Sequence, residues 1–218
     1  MLTLYYIYLI SLPITFAFSL YAYKKMDSNF KWFVPYFGCV SVYEFANLFN
    51  LLMINHTDSW CANIMELIDF ILFTYLMTSL AKRASYKKKV YLFAGIVILF
   101  SFIDMFFVQG MWKLNTIAMV LQALFILTLI YNYYHDLLKE ATEGLVLLKH
   151  PPFLVVTGLL FYFLSKSLFY SCYSYMVYKN NYHFYMLAAT IPGLSNLLLN
   201  SILIYAFLCF SKTKKLSL

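Results

Sequence analysis

Seven stretches of this chain are each apolar enough, and long enough, to cross a lipid bilayer. They fall at approximately 2–23, 32–54, 61–81, 90–109, 112–134, 153–178 and 184–210. A helix needs about 20 such residues to traverse the hydrocarbon core. Inside lipid, only structures that satisfy every backbone polar group internally are viable. The expectation is therefore an all-α integral membrane protein, a seven-transmembrane-helix bundle forming a single polytopic domain over 1–218. Composition agrees: 63% of the 218 residues are hydrophobic and 11% are charged, with a mean hydropathy of +0.75. Soluble domains carry about 25% charged residues, so a water-facing surface cannot be built from this chain.

The links between spans are short and polar: "KKMDSNFK", "NHTDSW", "KRASYKKK", a tight turn near "QGMWK", "HDLLKEATEGLVLLKHPP" and "KNNYH". Pro151 and Pro152 suit the first turn of a helix, where a missing N–H breaks no bond. The opening "MLTLYYIYLISLPITF" has no basic segment before its apolar run, so it reads as a retained first helix rather than a cleaved signal.

Charge sets the orientation. Lys24, Lys25, Lys31, Lys82, Arg83, Lys87, Lys88, Lys89, Lys139, Lys149, Lys212, Lys214 and Lys215 fall on one side of the expected spans, and only Lys113 and Lys179 on the other. Cytoplasmic loops collect Lys and Arg, which predicts the N-terminus outside and the C-terminus cytoplasmic. The net charge of +7 is thereby assigned to loops facing anionic lipid headgroups, not to nucleic acid.

Several spans nevertheless carry polar groups. Glu44 lies mid-way along the second span, Glu66 and Asp69 along the third, Gln122 along the fifth, Lys166 along the sixth, and Asn196 and Asn200 along the seventh. Each intramembrane charge costs about 2.5–3.5 kcal/mol on insertion scales. The economical arrangement turns these groups inward, with Lys166 paired to Glu44 or Asp69, Glu44 being the first choice on depth. Glu66 and Asp69 share a helix face at i, i+3. Two carboxylates so close repel, so the pair calls for a proton, a cation or a ligand amine beside it. These seven residues form the expected ligand or ion pocket. In "TIPGLSNLLLN", Pro192 and Gly193 form a candidate hinge. A purely structural polar network is the alternative, although interhelical hydrogen bonds are weak glue at about 0.6 kcal/mol each.

Other chemistries are argued against. His56, His135, His150 and His183 lie in loops or at span ends, so an intramembrane zinc hydrolase lacks its ligands. There is no G-x-S-x-G and no H-E-x-x-H. The seventh span has no lysine for a retinal Schiff base, and paired proline–glutamine transporter signatures are absent. Cys39, Cys61, Cys172 and Cys209 form no metal-ligand spacing, though Cys61 and Cys172 fall toward the same side. The expectation is no enzyme, no metal and no cofactor.

The stretches "FKWFVPYFGCVSVYEFAN", "NIMELIDFILFTYLM", "LLKHPPFLVVTGLLFYFLSKSLFY" and "LSNLLLNSILIYAFLCF" together resemble a bacterial family of small, largely uncharacterised seven-helix membrane proteins, often encoded near sensor histidine kinases. The resemblance implies acidic residues in the second and third spans, here Glu44 and Glu66. It also implies an "NPxFW"-like start to the sixth, here Pro151 through Phe153, and an Asn in the seventh, here Asn196 or Asn200. The chain departs from that pattern at Leu154, where an aromatic is usual, and by carrying Lys166. The implied role is a receptor-like or sensory module of the bacterial inner membrane, signalling to a histidine kinase or other membrane partner. Its polar pocket would take a small-molecule or cation ligand. The alternatives are a small transporter or ion-conducting protein and, third, a structural or effector subunit.

Overall fold

The computed structural model of the chain describes residues 2–139, 147–179, 184 and 187–212. Lys214, Lys215 and most of the "KNNYH" link lie outside them. Seven α-helices account for most of the described chain: α1 Leu2–Ala22, α2 Phe33–Leu48, α3 Ser59–Leu80, α4 Ala84–Ile103, α5 Thr116–Lys139, α6 Pro151–Tyr178 and α7 Thr190–Lys212. By length and composition, six of them can cross a membrane; α2 is the exception. Their outward faces are apolar, as with Ile10, Leu92, Leu99, Phe107, Leu124 and Leu168, while Asp69, Lys166, Gln122 and Asn200 are buried. That inside-out distribution is what a lipid-facing bundle requires.

The second helix is shorter than the 32–54 stretch suggested. Its 16 residues span about 24 Å at 1.5 Å per residue. Asn50 ends it: this residue adopts φ 56°, the Leu51 N–H donates to Ala46 O at 3.0 Å, and the Asn50 N–H donates to Asn47 O at 2.9 Å. This is the left-handed helix stop in which asparagine can replace glycine. The apolar "LLMI" that follows therefore leaves the helix. It leads into a tight reversal at Asn55 and His56 (φ 52° and 61°), closed by paired backbone bonds between Ile54 and Thr57.

The helix α4 passes directly into one π-helical turn, Asp104–Val108. Asp104, fully buried, accepts the Ala118 N–H at 3.2 Å and so satisfies a free donor in the first turn of α5. Asn63 of α3 clasps the same turn. Its amide donates to Lys113 O at 2.8 Å and its carbonyl accepts the Asn115 N–H at 3.0 Å. Against the expected stretches 90–109 and 112–134, α4 begins at Ala84 and α5 at Thr116.

Packing runs α2–α1–α7–α6–α5–α3, with α4 against α3 and α5. Gly158 of α6 allows close approach to α7, since a Cβ there would stand 2.9 Å from Leu199 Cδ1. Lys25 Nζ donates to Ser211 O, tying the ends of α1 and α7 together. Lys24, Lys25, Lys82, Arg83, Lys87, Lys139, Lys149 and Lys212 accordingly sit at the ends of successive antiparallel helices, and this end of the bundle is called the lysine-bearing end below. Pro192 falls in the first turn of α7, which runs unbroken to Lys212. Its missing N–H thus interrupts no bond in the helix interior. Pro13 lies inside α1.

Candidate functional site

Lys166 stands near the middle of α6, four residues from Tyr162 and four from Tyr170, so the three share one face. Opposite lies the Glu66 and Asp69 face of α3. Lys166 Nζ is 2.6 Å from Glu66 Oε1 and 2.7 Å from Oε2, and 3.6 Å from Asp69 Oδ2. The ammonium also donates to the Tyr162 hydroxyl at 2.6 Å. That hydroxyl in turn donates to Asp69 Oδ2 at 3.1 Å, and Tyr36 donates to Asp69 Oδ1 at 3.0 Å. The Tyr170 hydroxyl approaches Glu66 Oε1 at 3.4 Å. Each carboxylate of the α3 pair thus meets both the ammonium and at least one phenol, which is how a charge is kept in a low-dielectric interior.

Glu44 is not the partner of Lys166, contrary to the expectation from depth. It comes from α2, accepts the Tyr8 hydroxyl of α1 at 3.1 Å, and meets no cation among the described residues. The reason is geometric. The i, i+3 pair on α3 presents two carboxylates to α6 at once, and one ammonium satisfies both. Glu44 faces the same space from another helix.

That space is a cavity of about 240 Å³ lined by α1, α2, α3, α6 and α7. Its lining includes Glu44, Glu66, Asp69, Lys166, Asn196 and Pro192, together with Tyr8, Tyr36, Tyr43, Tyr162 and Tyr170. Three carboxylates therefore face one ammonium. Nearer the lysine-bearing end of the same helices aromatic rings pack together: Phe73 lies 5.5 Å from Phe163 and 6.4 Å from Phe33, and Phe33 lies 5.9 Å from Phe207, all as centroid distances. These four are almost fully buried.

The remaining expected residues fall outside the cavity. Gln122 donates to Ser101 Oγ at 2.8 Å, and its carbonyl oxygen is buried without a partner among the described residues. It lines a separate space of about 10 Å³ that Glu66 also touches, enough for one water. Asn200 donates to Ser11 Oγ at 2.7 Å and joins α7 to α1. Gly193 meets α1, where a Cβ would lie 3.0 Å from Leu4 Cδ2. All four cysteines are free.

The tyrosines are what sequence reasoning missed. Tyr162 and Tyr170 bracket Lys166 at i±4, and Tyr36, Val40, Tyr43 and Glu44 follow helical spacing along α2. In a chain with 21 tyrosines, spacing relative to the charged residue was the available signal. No protein-family model, curated protein or solved structure matches the chain.

Proposed function

We propose that this chain is a receptor-like or sensory multi-pass module of the bacterial inner membrane, with its N-terminus outside and C-terminus cytoplasmic. In this reading the tyrosine-lined cavity takes a small organic cation. The observation that carries it is the charge imbalance around one cavity: Lys166 is committed to Glu66 and Asp69, and Glu44 faces the cavity with a phenol as its one partner among the described residues. An ammonium ligand would pair with Glu44 and lie against tyrosine faces, an arrangement that stabilises cations by about 0.5–2 kcal/mol per ring. Occupancy would pull α1 and α2 toward α3 and α6, and Pro192, in the cavity wall at the start of α7, is where the hinge would act. A cytoplasmic partner such as a histidine kinase would read the change at the lysine-bearing end.

Transport is the second reading. Phe33, Phe73, Phe163 and Phe207 pack together among the helices nearer the lysine-bearing end, and this buried apolar cluster favours the sensory reading. The two readings separate in one experiment. Methylammonium, ethanolamine and choline are tested for thermal stabilisation of the purified protein and, isotopically labelled, for uptake into proteoliposomes. Stabilisation without uptake supports the sensory reading. Uptake above protein-free vesicles would replace it with transport, and neither effect would remove the cation site.

A further inference from the structure

The small space that Glu66 shares with Gln122 lies where α3 begins, α4 ends and α5 begins, toward the end of the bundle opposite the lysines. At about 10 Å³ it has room for one particle the size of a water molecule. Five side chains with an oxygen line it, Asn63, Glu66, Ser101, Asn115 and Gln122, and no Lys, Arg or His does so among the described residues. The rest of its wall is apolar. Met105, in that wall, belongs to the π-helical turn that ends α4, an irregularity that recurs at functional sites.

Two independent observations point to what this space holds. The first is Gln122, which is 5% exposed and whose Oε1 is buried without a partner. Its amide cannot turn to find one. The amide nitrogen donates to Ser101 Oγ at 2.8 Å, and the Ser101 hydroxyl has already given its proton to Val97 O at 2.8 Å. The second observation is charge. Lys166 sets one positive charge against the two negative charges of Glu66 and Asp69, so the triad sums to one negative charge. Glu66 carries that excess to the edge of the small space, because it lines both cavities. An uncompensated charge is costly in a low-dielectric interior. A water molecule would satisfy the Gln122 carbonyl and leave the charge as it is.

We propose that this space binds one monovalent metal ion of about the size of sodium, held by Gln122 Oε1, the Glu66 carboxylate and the Ser101 hydroxyl oxygen. Hard cations take oxygen ligands, and each carboxylate oxygen of Glu66 has acceptor capacity beyond its bond to Lys166. One positive charge neutralises the triad, whereas a divalent ion would overshoot it. Among the described residues no cluster of three His, Cys, Asp or Glu offers a divalent or transition-metal site. Organic ammonium ions are too large for the space, so this site is distinct from the one at Glu44 and does not depend on it.

The test is thermal unfolding of the full chain in uncharged detergent at constant ionic strength, with caesium chloride replaced stepwise by sodium chloride. Caesium is the reference because it is too large for the space. The expected result is a saturable rise of about 2–4 °C with sodium. Gln122→Leu keeps the volume and removes the unpartnered oxygen, and it should abolish the rise. Ser101→Ala, a milder change that frees the Gln122 amide, should at least halve it. Glu44→Gln should leave it intact. No sodium-specific rise, the outcome for a site that holds only water, overturns the proposal. So does an undiminished rise in Gln122→Leu or Ser101→Ala. Loss of the rise in Glu44→Gln also overturns it, by moving the ion to the larger cavity.

Discussion

Lys166 and Glu66 form a two-oxygen ion pair across the gap between α6 and α3, with the ammonium 2.6 Å from one carboxylate oxygen and 2.7 Å from the other. Their side chains are only 9% and 18% exposed. The pair spans helices whose backbones make little direct contact, so it fixes the width of the cavity between them. Asp69, 3.6 Å from the same ammonium, makes the pair a triad.

Breaking that pair should be expensive. Removing one partner of a buried ion pair costs about 3–5 kcal/mol, because the other charge stays buried and uncompensated. Lys166→Met, which leaves two carboxylates, should destabilise more than Glu66→Gln, after which Asp69 still faces the ammonium. The double variant should be less destabilised than the sum of the two. A double-mutant cycle in detergent measures this, and additive effects would show that the contact contributes nothing.

Glu44 should behave differently. Its one described contact is the Tyr8 hydroxyl, so Glu44→Gln and Tyr8→Phe should each change stability by no more than about 0.5–1.5 kcal/mol, the range for a single hydrogen bond. Denaturation midpoints of the two variants check this. A loss of the size expected for Lys166→Met would make Glu44 part of the scaffold.

The presence of a polar interior was legible in the sequence, because a charge in an apolar run is conspicuous. Its partners were not. Depth along a helix gives one coordinate, and rotation about the helix axis gives the other; only Glu66 and Asp69, fixed to one another by i, i+3 spacing, carried their shared face in the sequence. Glu44 and Lys166 lie at comparable depth, yet Tyr8 and the α3 pair respectively claim them. Gln122 and Asn200 have the right depth and face other neighbours, Ser101 and Ser11. The early end of α2 was hidden for a related reason: hydropathy continues through Leu51–Ile54, and a single asparagine in the left-handed region stops the helix.

Asn63 should be worth more than its appearance as one amide in α3 suggests. It accepts the Asn115 N–H and donates to Lys113 O, holding the turn that leads into α5. Asn63→Ala leaves a buried N–H unsatisfied, a loss of about 1–3 kcal/mol, and should speed amide hydrogen exchange at residues 111–115. Unchanged exchange there would mean that the turn holds without the clasp.

His150 gives stability a pH dependence at the lysine-bearing end. Burial lowers its imidazole below the ordinary 6.5, so the unfolded chain takes up a proton at a higher pH than the folded one. The stabilisation from keeping it neutral is complete above 6.5 and is lost as pH falls through the lower native value. Denaturant titrations between pH 5 and 8 should show this decline in the wild type and a flatter profile in His150→Gln. An identical slope in both would assign the dependence to other groups.

The central claim is that Glu44, not the triad, is where an organic cation from outside the protein pairs. Calorimetric titration of methylammonium into the purified wild type, Glu44→Gln and Glu66→Gln tests it most directly. The account predicts saturable binding to the wild type, loss of at least tenfold in affinity for Glu44→Gln, equivalent to about 1.4 kcal/mol, and retained binding for Glu66→Gln. Equal affinity of wild type and Glu44→Gln would contradict it.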